Sequence, residues 1–279
     1  MSTLASPAAP RSDRATPEYD PQLVAFHRAF APEIRHCIEE LPLAPGGRVL
    51  DLACGDGFYT AFLAGRAGPD GLVVGADLLD GYLERARRQV TAASVHFARA
   101  DVYRLPFADD TFDLAFCAQS LISLDDAVGL LREMRRVTRR GGLVVVLETD
   151  EYHHVLLPWP VDLEVTLQRA VLAGCRQRFG HAARLSPSRW LRRQIARSGL
   201  VDAQKRTVSA DRLAPFSPEV RAFLTHHLQF LSGLVRTHLG ATARATFDRL
   251  IDADHPDSLL NCAESELTCL NTLHIARKA

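Results

Sequence analysis

The stretch "VLDLACGDGFYT", residues 49 to 60, begins as a run of buried-strand character and ends as the start of a helix. Between the two lies a loop with Gly55 and Gly57, and Thr60 stands where a dinucleotide site would place a third glycine. That third glycine normally lets helix and strand pack closely under a pyrophosphate. Thr60 predicts looser packing, and Phe58 and Tyr59 crowd the helix start. Asp51 and Asp56 add negative charge, which suits a ligand bearing cationic groups better than a diphosphate.

Outward from this loop the chain alternates. Apolar strands are expected near 48–53, 71–77, 94–101, 112–119 and 142–148, separated by segments with the 3.6-residue period of helices. Asp80 reads as the N-cap of one such helix. Asp125 or Asp126 opens another, which Gly141 is expected to close. Strands that are apolar nearly throughout imply a parallel sheet covered on both faces. Past Glu148 the rhythm changes. Helices are expected at about 161–179 and 187–198, then a strand in "LVDAQKRTVSA". A long helix opened by Ser217-Pro218-Glu219 comes next, then a helix through Phe247 and Ile251, and a last strand in "LTCLNTLHIA".

The expected fold is therefore α/β, a Rossmann-like seven-stranded sheet that is parallel except for a C-terminal antiparallel pair, with a helical cap. Residues 1–18 form an expected flexible arm and 19–44 an N-terminal helical lid. Residues 45–150 are the nucleotide-binding core, and 151–279 the end of the sheet with cap insertions that form the acceptor site.

In an open sheet of this kind ligands sit beyond the carboxyl ends of the strands. Asp51, Asp77, Asp101 and Gln119 all stand at such ends. Asp77 falls 20 residues after Gly57, where a carboxylate suits ribose hydroxyls, so an adenosine-type ligand is favoured.

Four successive segments then resemble one family. "VLDLACGDGFYT", "GADLLDGYL", "ADVYRLPFADDTFDLAFCAQSL" and "LREMRRVTRRGGLVVVLE" are similar, in order and spacing, to the motifs of class I S-adenosylmethionine-dependent methyltransferases, nearest to the small-molecule and quinone-type branch. The resemblance covers roughly residues 45–150. It implies that the loop of Asp51, Ala53, Gly55 and Gly57 holds the methionine end, and that Asp77 takes the ribose. It also implies that Asp101 and the Val102 backbone meet the adenine, Leu78 packs on its ring, and Gln119 sits beside the sulfonium. An N-terminal tyrosine, Tyr19, would close on the methionine end. For proton removal from an acceptor the candidates are His153 and His154, which follow the fifth strand, because imidazole titrates near neutrality.

Other features narrow the class. The 33 basic and 33 acidic residues leave zero net charge, and no Asn/Asp-Pro-Pro-Tyr/Phe segment follows the fourth strand, which together argue against a nucleic-acid substrate. Arg132, Arg135, Arg136, Arg139 and Arg140 read as a solvated helix face. The six cysteines are scattered, consistent with free thiols in a reducing compartment, and no apolar run is long enough to span a membrane. A cytoplasmic enzyme is expected, monomer or homodimer, with S-adenosylmethionine as cofactor, no metal, and a small-molecule methyl acceptor as partner. Two further readings differ in chemistry. One is a protein that binds the cofactor without transferring its methyl group, as a cyclase, decarboxylase or sensor; the other is an NAD-dependent oxidoreductase, which Thr60 disfavours.

Overall fold

The computed structural model describes residues 20–149, 154–180 and 186–279. Its centre is an eight-stranded sheet. β1 (Arg48–Leu52), β2 (Leu72–Asp77), β3 (Val95–Arg99), β4 (Phe112–Ala118) and β5 (Thr138–Thr149) are parallel and lie in the order β3-β2-β1-β4-β5. The reversal of direction along that order leaves a crevice above the ends of β1 and β4, where such sheets bind ligands. Val49, Leu50 and Leu52 of β1 and Leu114, Ala115, Phe116 and Cys117 of β4 are fully buried, because helices cover both faces.

β8 (Glu266–Arg277) runs antiparallel to β5, and β7 (Val201–Leu213) pairs along its other edge. The expected antiparallel pair is thus present. The count of seven is one short, since β6 (Val155–Leu157) takes up the line of β5 along β8, with Val155 opposite Thr268 after Thr149 opposite Asn271. Three residues make no strand alone, and β6 exists only because β8 offers it an edge.

Helices α2 (Phe58–Ala67), α3 (Asp80–Gln89) and α4 (Ala127–Val137) connect the parallel strands. Asp126 caps α4 as expected, its Oδ1 accepting the Gly129 N–H at 2.8 Å. Two expected boundaries need correction. Asp80 is the first residue of α3 and does not cap it; Leu79 occupies the cap position, and Asp80 faces Arg99 at 3.6 Å. Gly141 does not close α4, which stops at Val137. Thr138 already pairs with Phe112, and Gly141 lies within β5. Arg139 and Arg140 therefore belong to the strand. Arg136 is no free surface cation either, being ion-paired with Glu133 at 2.6 Å and Asp109 at 2.8 Å.

The cap consists of α1 (Asp20–Glu39), α5 (Val161–Phe179), α7 (Pro218–Val235) and α8 (Ala241–Ile251), whereas α6 (Leu191–Arg197, preceded by a 3-10 turn at Pro187–Trp190) packs beside α4, with Leu191 and Ile195 buried there. Ser217 caps α7 through the Val220 N–H, at 3.4 Å. Phe26 and Phe30 of α1 pack edge-on against Phe223 of α7 at 5.6 and 5.3 Å. A two-pronged ion pair between Arg212 of β7 and Glu33, 2.8 Å in each arm, fixes the other end of α1. α1 bends at Phe30, whose φ of −124° and ψ of 15° leave the helical region two residues before Pro32.

Candidate functional site

The loop after β1 turns through three left-handed residues, Ala53 (φ 52°), Gly55 (φ 54°) and Gly57 (φ 85°). Gly57 is fixed by space as well as by angle, because a Cβ there would approach Val90 to 3.0 Å and Ala86 to 3.2 Å. Gly55 has nothing within 4 Å of that position, and its backbone faces an open cleft. Asp77, at the tip of β2, reaches across to this loop. Its Oδ2 accepts the Gly55 N–H at 3.0 Å and its Oδ1 the Leu79 N–H at 2.9 Å. One carboxylate thus ties two strand ends together. Burial raises its pKa against the pull of these backbone donors.

The cleft has a volume of 500 Å³, within the usual range for small-molecule sites of about 300–1,000 Å³. The structure gathers around it Ala53, Gly55, Asp77, Leu78, Asp101, Val102 and Gln119, seven of the ten residues expected from sequence. Leu78 is 52% exposed, an apolar side chain laid open at the rim. Asp56 and Asp125 join Asp77 and Asp101, so four carboxylates and neither arginine nor lysine line the space. That lining opposes a diphosphate and attracts a cation.

Three expected residues stand elsewhere. Tyr19 lies outside the described residues. Gly57 shapes the turn beneath the cleft without lining it. Asp51 is 1% exposed and also absent from the lining; its Oδ2 accepts the Thr60 hydroxyl at 2.6 Å. This corrects the reading of Thr60 as well. Thr60 is completely buried, and through that bond it packs α2 tightly on β1, so close packing is achieved without a third glycine. Burial pushes the Asp51 carboxyl up to about 7, with the Thr60 bond opposing and the charge of Asp77 adding. The folded pKa exceeds the ordinary 3.8, so the native state holds a proton that the unfolded chain releases in between. Stability from this group is therefore full below the ordinary value and is lost as pH rises towards 7. Asp51→Asn is expected to flatten the decline of Tm between pH 5 and 8. An unchanged slope would show that Asp51 is ionised throughout.

At the tip of β4, Gln119 adopts a left-handed φ of 47°, unusual for a side-chain-bearing residue. Its Oε1 accepts from the Tyr59 hydroxyl at 2.7 Å and meets His27 Nε2 at 3.0 Å. Its Nε2 donates to Thr149 Oγ1 at 2.7 Å, and that hydroxyl donates to Asn271 Oδ1 at 2.9 Å. Gln119 thus joins α1, α2, β4, β5 and β8. His27 lies flat on Phe58, ring centroids 4.0 Å apart, and borders the cleft with Leu23 and Tyr59. The sequence assigns His27 no role. Its spacing to Leu23 is the only signal the sequence carried.

Of the expected bases, His153 lies outside the described residues. His154 is placed instead in a separate cavity, with its ring 5.9 Å from that of His227. Glu148 is structural, its Oε1 accepting the N–H groups of Ser120 and Leu121 at 3.1 and 2.9 Å. Cys54 and Cys117 are buried thiols whose pKa burial drives well up, as packing residues should be. Among the described residues no cluster has the make-up of a metal site, and no helix is long and apolar enough to cross a membrane.

Residues 49–142 match the family model described as a methyltransferase domain. A demethylmenaquinone methyltransferase of Bacillus cereus (strain AH187) is 34% identical over 128 residues, 45% of this chain and 53% of that protein. The chain thus spans about half the length of the curated relatives it matches. Among solved structures, the YcgJ protein of Bacillus subtilis superposes with a TM-score of 0.54 at 18% identity, over 89% of this chain and 99% of that one. A SAM-dependent methyltransferase from Aquifex aeolicus gives 0.51 at 17% identity, over 67% and 91%. These likenesses establish the fold as that of Rossmann-like methyltransferases, in agreement with the motif resemblance.

Proposed function

We infer that this chain, whose residues 49–142 are a methyltransferase domain on the class I fold, transfers the methyl group of S-adenosylmethionine to a small-molecule acceptor. The observation that carries the reading is the cleft at the switch in strand order, lined by four carboxylates and by neither arginine nor lysine. When bound, the cofactor supplies an electrophilic methyl on a cationic sulfur, and transfer discharges that cation. The chain's own residues bind and orient. The open backbone at Gly55 receives the methionine end, and the Asp77 carboxylate accepts hydrogen bonds from the ribose hydroxyls. Val102 and the exposed Leu78 bracket the base, with Asp101 at its edge. Asp51 acts from below, bound to the Thr60 hydroxyl and so holding α2 under the loop.

Much of the catalytic effect in such a displacement comes from holding the acceptor in line with the methyl group and excluding water. Gln119 serves this purpose. Its amide, fixed by Tyr59, His27 and Thr149, lines the cleft where the cofactor would be held and pins α1 over it.

The test is calorimetric titration of the full chain with S-adenosylmethionine, S-adenosylhomocysteine and NAD. Binding of the first two and not the third is expected. Preferential NAD binding would defeat the reading. S-adenosylhomocysteine formed during incubation with candidate acceptors establishes transfer; cofactor binding with no such product from any acceptor would favour a non-methylating use of the cofactor.

A further inference from the structure

β7 is the last strand on its side of the sheet. β8 pairs along one margin from Val201 to Leu213, and among the described residues no strand pairs along the other. At 13 residues it is far longer than β3, the five-residue strand at the opposite edge. An open edge of that length is a template for another strand, which is why edge strands are usually short. Between Val201 and Gln204 a bulge interrupts the register. The regular stretch therefore runs from Gln204 to Leu213, and its middle falls at Val208 and Ser209.

The two faces of this stretch differ. On the even-numbered face Arg206 meets Glu40 at 3.4 Å and Arg212 meets Glu33 at 2.8 Å, both on α1, while Val208 and Ala210 join the core. That face is taken. On the odd-numbered face Lys205, Thr207, Ser209, Asp211 and Leu213 are all exposed. Asp211 accepts the Thr268 hydroxyl at 2.7 Å, and neither it nor Lys205 forms an ion pair among the described residues.

These residues are self-complementary. A twofold axis perpendicular to the sheet sets two copies of β7 antiparallel, edge to edge, with opposite residues pointing to the same face. With the axis at Val208, Lys205 stands opposite Asp211 of the second copy, and Asp211 opposite its Lys205. Thr207 then lies opposite Ser209, and Arg206 opposite Ala210. Other registers lose this match. An axis at Arg206 puts that arginine against itself, and one at Ser209 puts Arg206 against Arg212. At Thr207 or Ala210 the lysine and the aspartate miss each other. A lysine on an edge strand normally guards against pairing. Here the mirror position carries the opposite charge, so the guard becomes a register lock.

We propose that two copies of this chain associate through β7, antiparallel about Val208, so that their sheets become one continuous sheet. The ion pairs that tie β7 to α1 lie on the even face and are kept. The cofactor cleft, above β1 and β4, is separated from this edge by β5 and β8 and stays open.

Sedimentation velocity of the full chain over a range of concentrations tests this, with S-adenosylmethionine affinity read in parallel as a control that should not move. A dimer that dissociates on dilution is expected. Lys205→Asp and Asp211→Lys should each weaken association at least about tenfold, since each sets two like-charge pairs across the axis. The double variant restores both pairs and should return to within about threefold of wild type. Val208→Cys should cross-link the dimer under oxidised glutathione, because residues opposite each other in an antiparallel pair lie within disulfide reach. The wild type should not cross-link. A monomer at every concentration would overturn the proposal, and so would a dimer that the single variants leave unchanged or that the double variant fails to restore. If a charge variant fails to fold by circular dichroism, the Val208→Cys cross-link decides, and its absence overturns the register.

Discussion

Replacement of Asp77 by alanine is expected to weaken S-adenosylmethionine binding by at least a hundredfold, the largest effect of any single change in the cleft. Two hydrogen bonds from ribose hydroxyls to an ionised carboxylate are worth about 1.5–3 kcal/mol each, and each 1.4 kcal/mol is a factor of ten. The same side chain accepts the N–H groups of Gly55 and Leu79, so its removal also frees the loop that the methionine end requires. Asp77→Asn is the milder change. It keeps the shape and one accepting oxygen, so it should bind with intermediate affinity, and it should melt below wild type because its NH2 turns a donor onto the N–H of Gly55 or of Leu79. Calorimetry at fixed pH reads both variants. Wild-type affinity in Asp77→Ala would leave the cleft without its central contact and sink the cofactor assignment.

Gln119→Ala should cost the fold about 2–4 kcal/mol, because it strips partners from Tyr59, His27 and Thr149 at once in a partly buried setting. Urea unfolding measures it. Tyr59→Phe alone removes one bond and should cost about 1 kcal/mol. The double variant should be less damaging than the sum, with a coupling of at least about 0.5 kcal/mol, since both act on one network. Strict additivity would mean that the Gln119–Tyr59 bond contributes nothing. Gln119→Ala should also speed amide exchange in the first half of α1, where His27 lies, and leave the second half protected by the Arg212–Glu33 pair. Uniform protection along α1 would show that Gln119 does not secure it.

The parallel core was legible because its strands are buried on both faces and so read as unbroken apolar runs, Val73 and Leu114 to Phe116 among them. The cleft was legible to the extent that its residues follow strand ends. Asp77, Asp101 and Gln119 needed no knowledge of the cap to be placed. His27, Tyr59 and Asp125 reach the same space from α1, from α2 and from a loop, by tertiary docking that no local period encodes. Asp51 was placed at the right strand end, but the face it takes was not legible. The period of two in β1 turns successive side chains to opposite faces, and only the partner Thr60 reveals which face Asp51 takes. β6 and the early start of β5 were missed for one reason. Both are strands by pairing, Leu156 with Leu267 and Thr138 with Phe112, and not by composition. The histidine candidates after β5 were chosen by proximity in sequence. The structure sends His154 into the separate cavity to meet His227, a partner 73 residues away in the chain.

β8 has its own consequence for how such a chain comes to be made. It follows the other described strands in translation, yet it accepts β5 and β6 along one margin and β7 along the other. Until it emerges from the ribosome, three strands present raw edges of the sort that recruit other nascent chains into aggregates. Fragments shortened by a dozen residues at that end should accordingly accumulate as insoluble material, although every residue of the cofactor cleft is already synthesised.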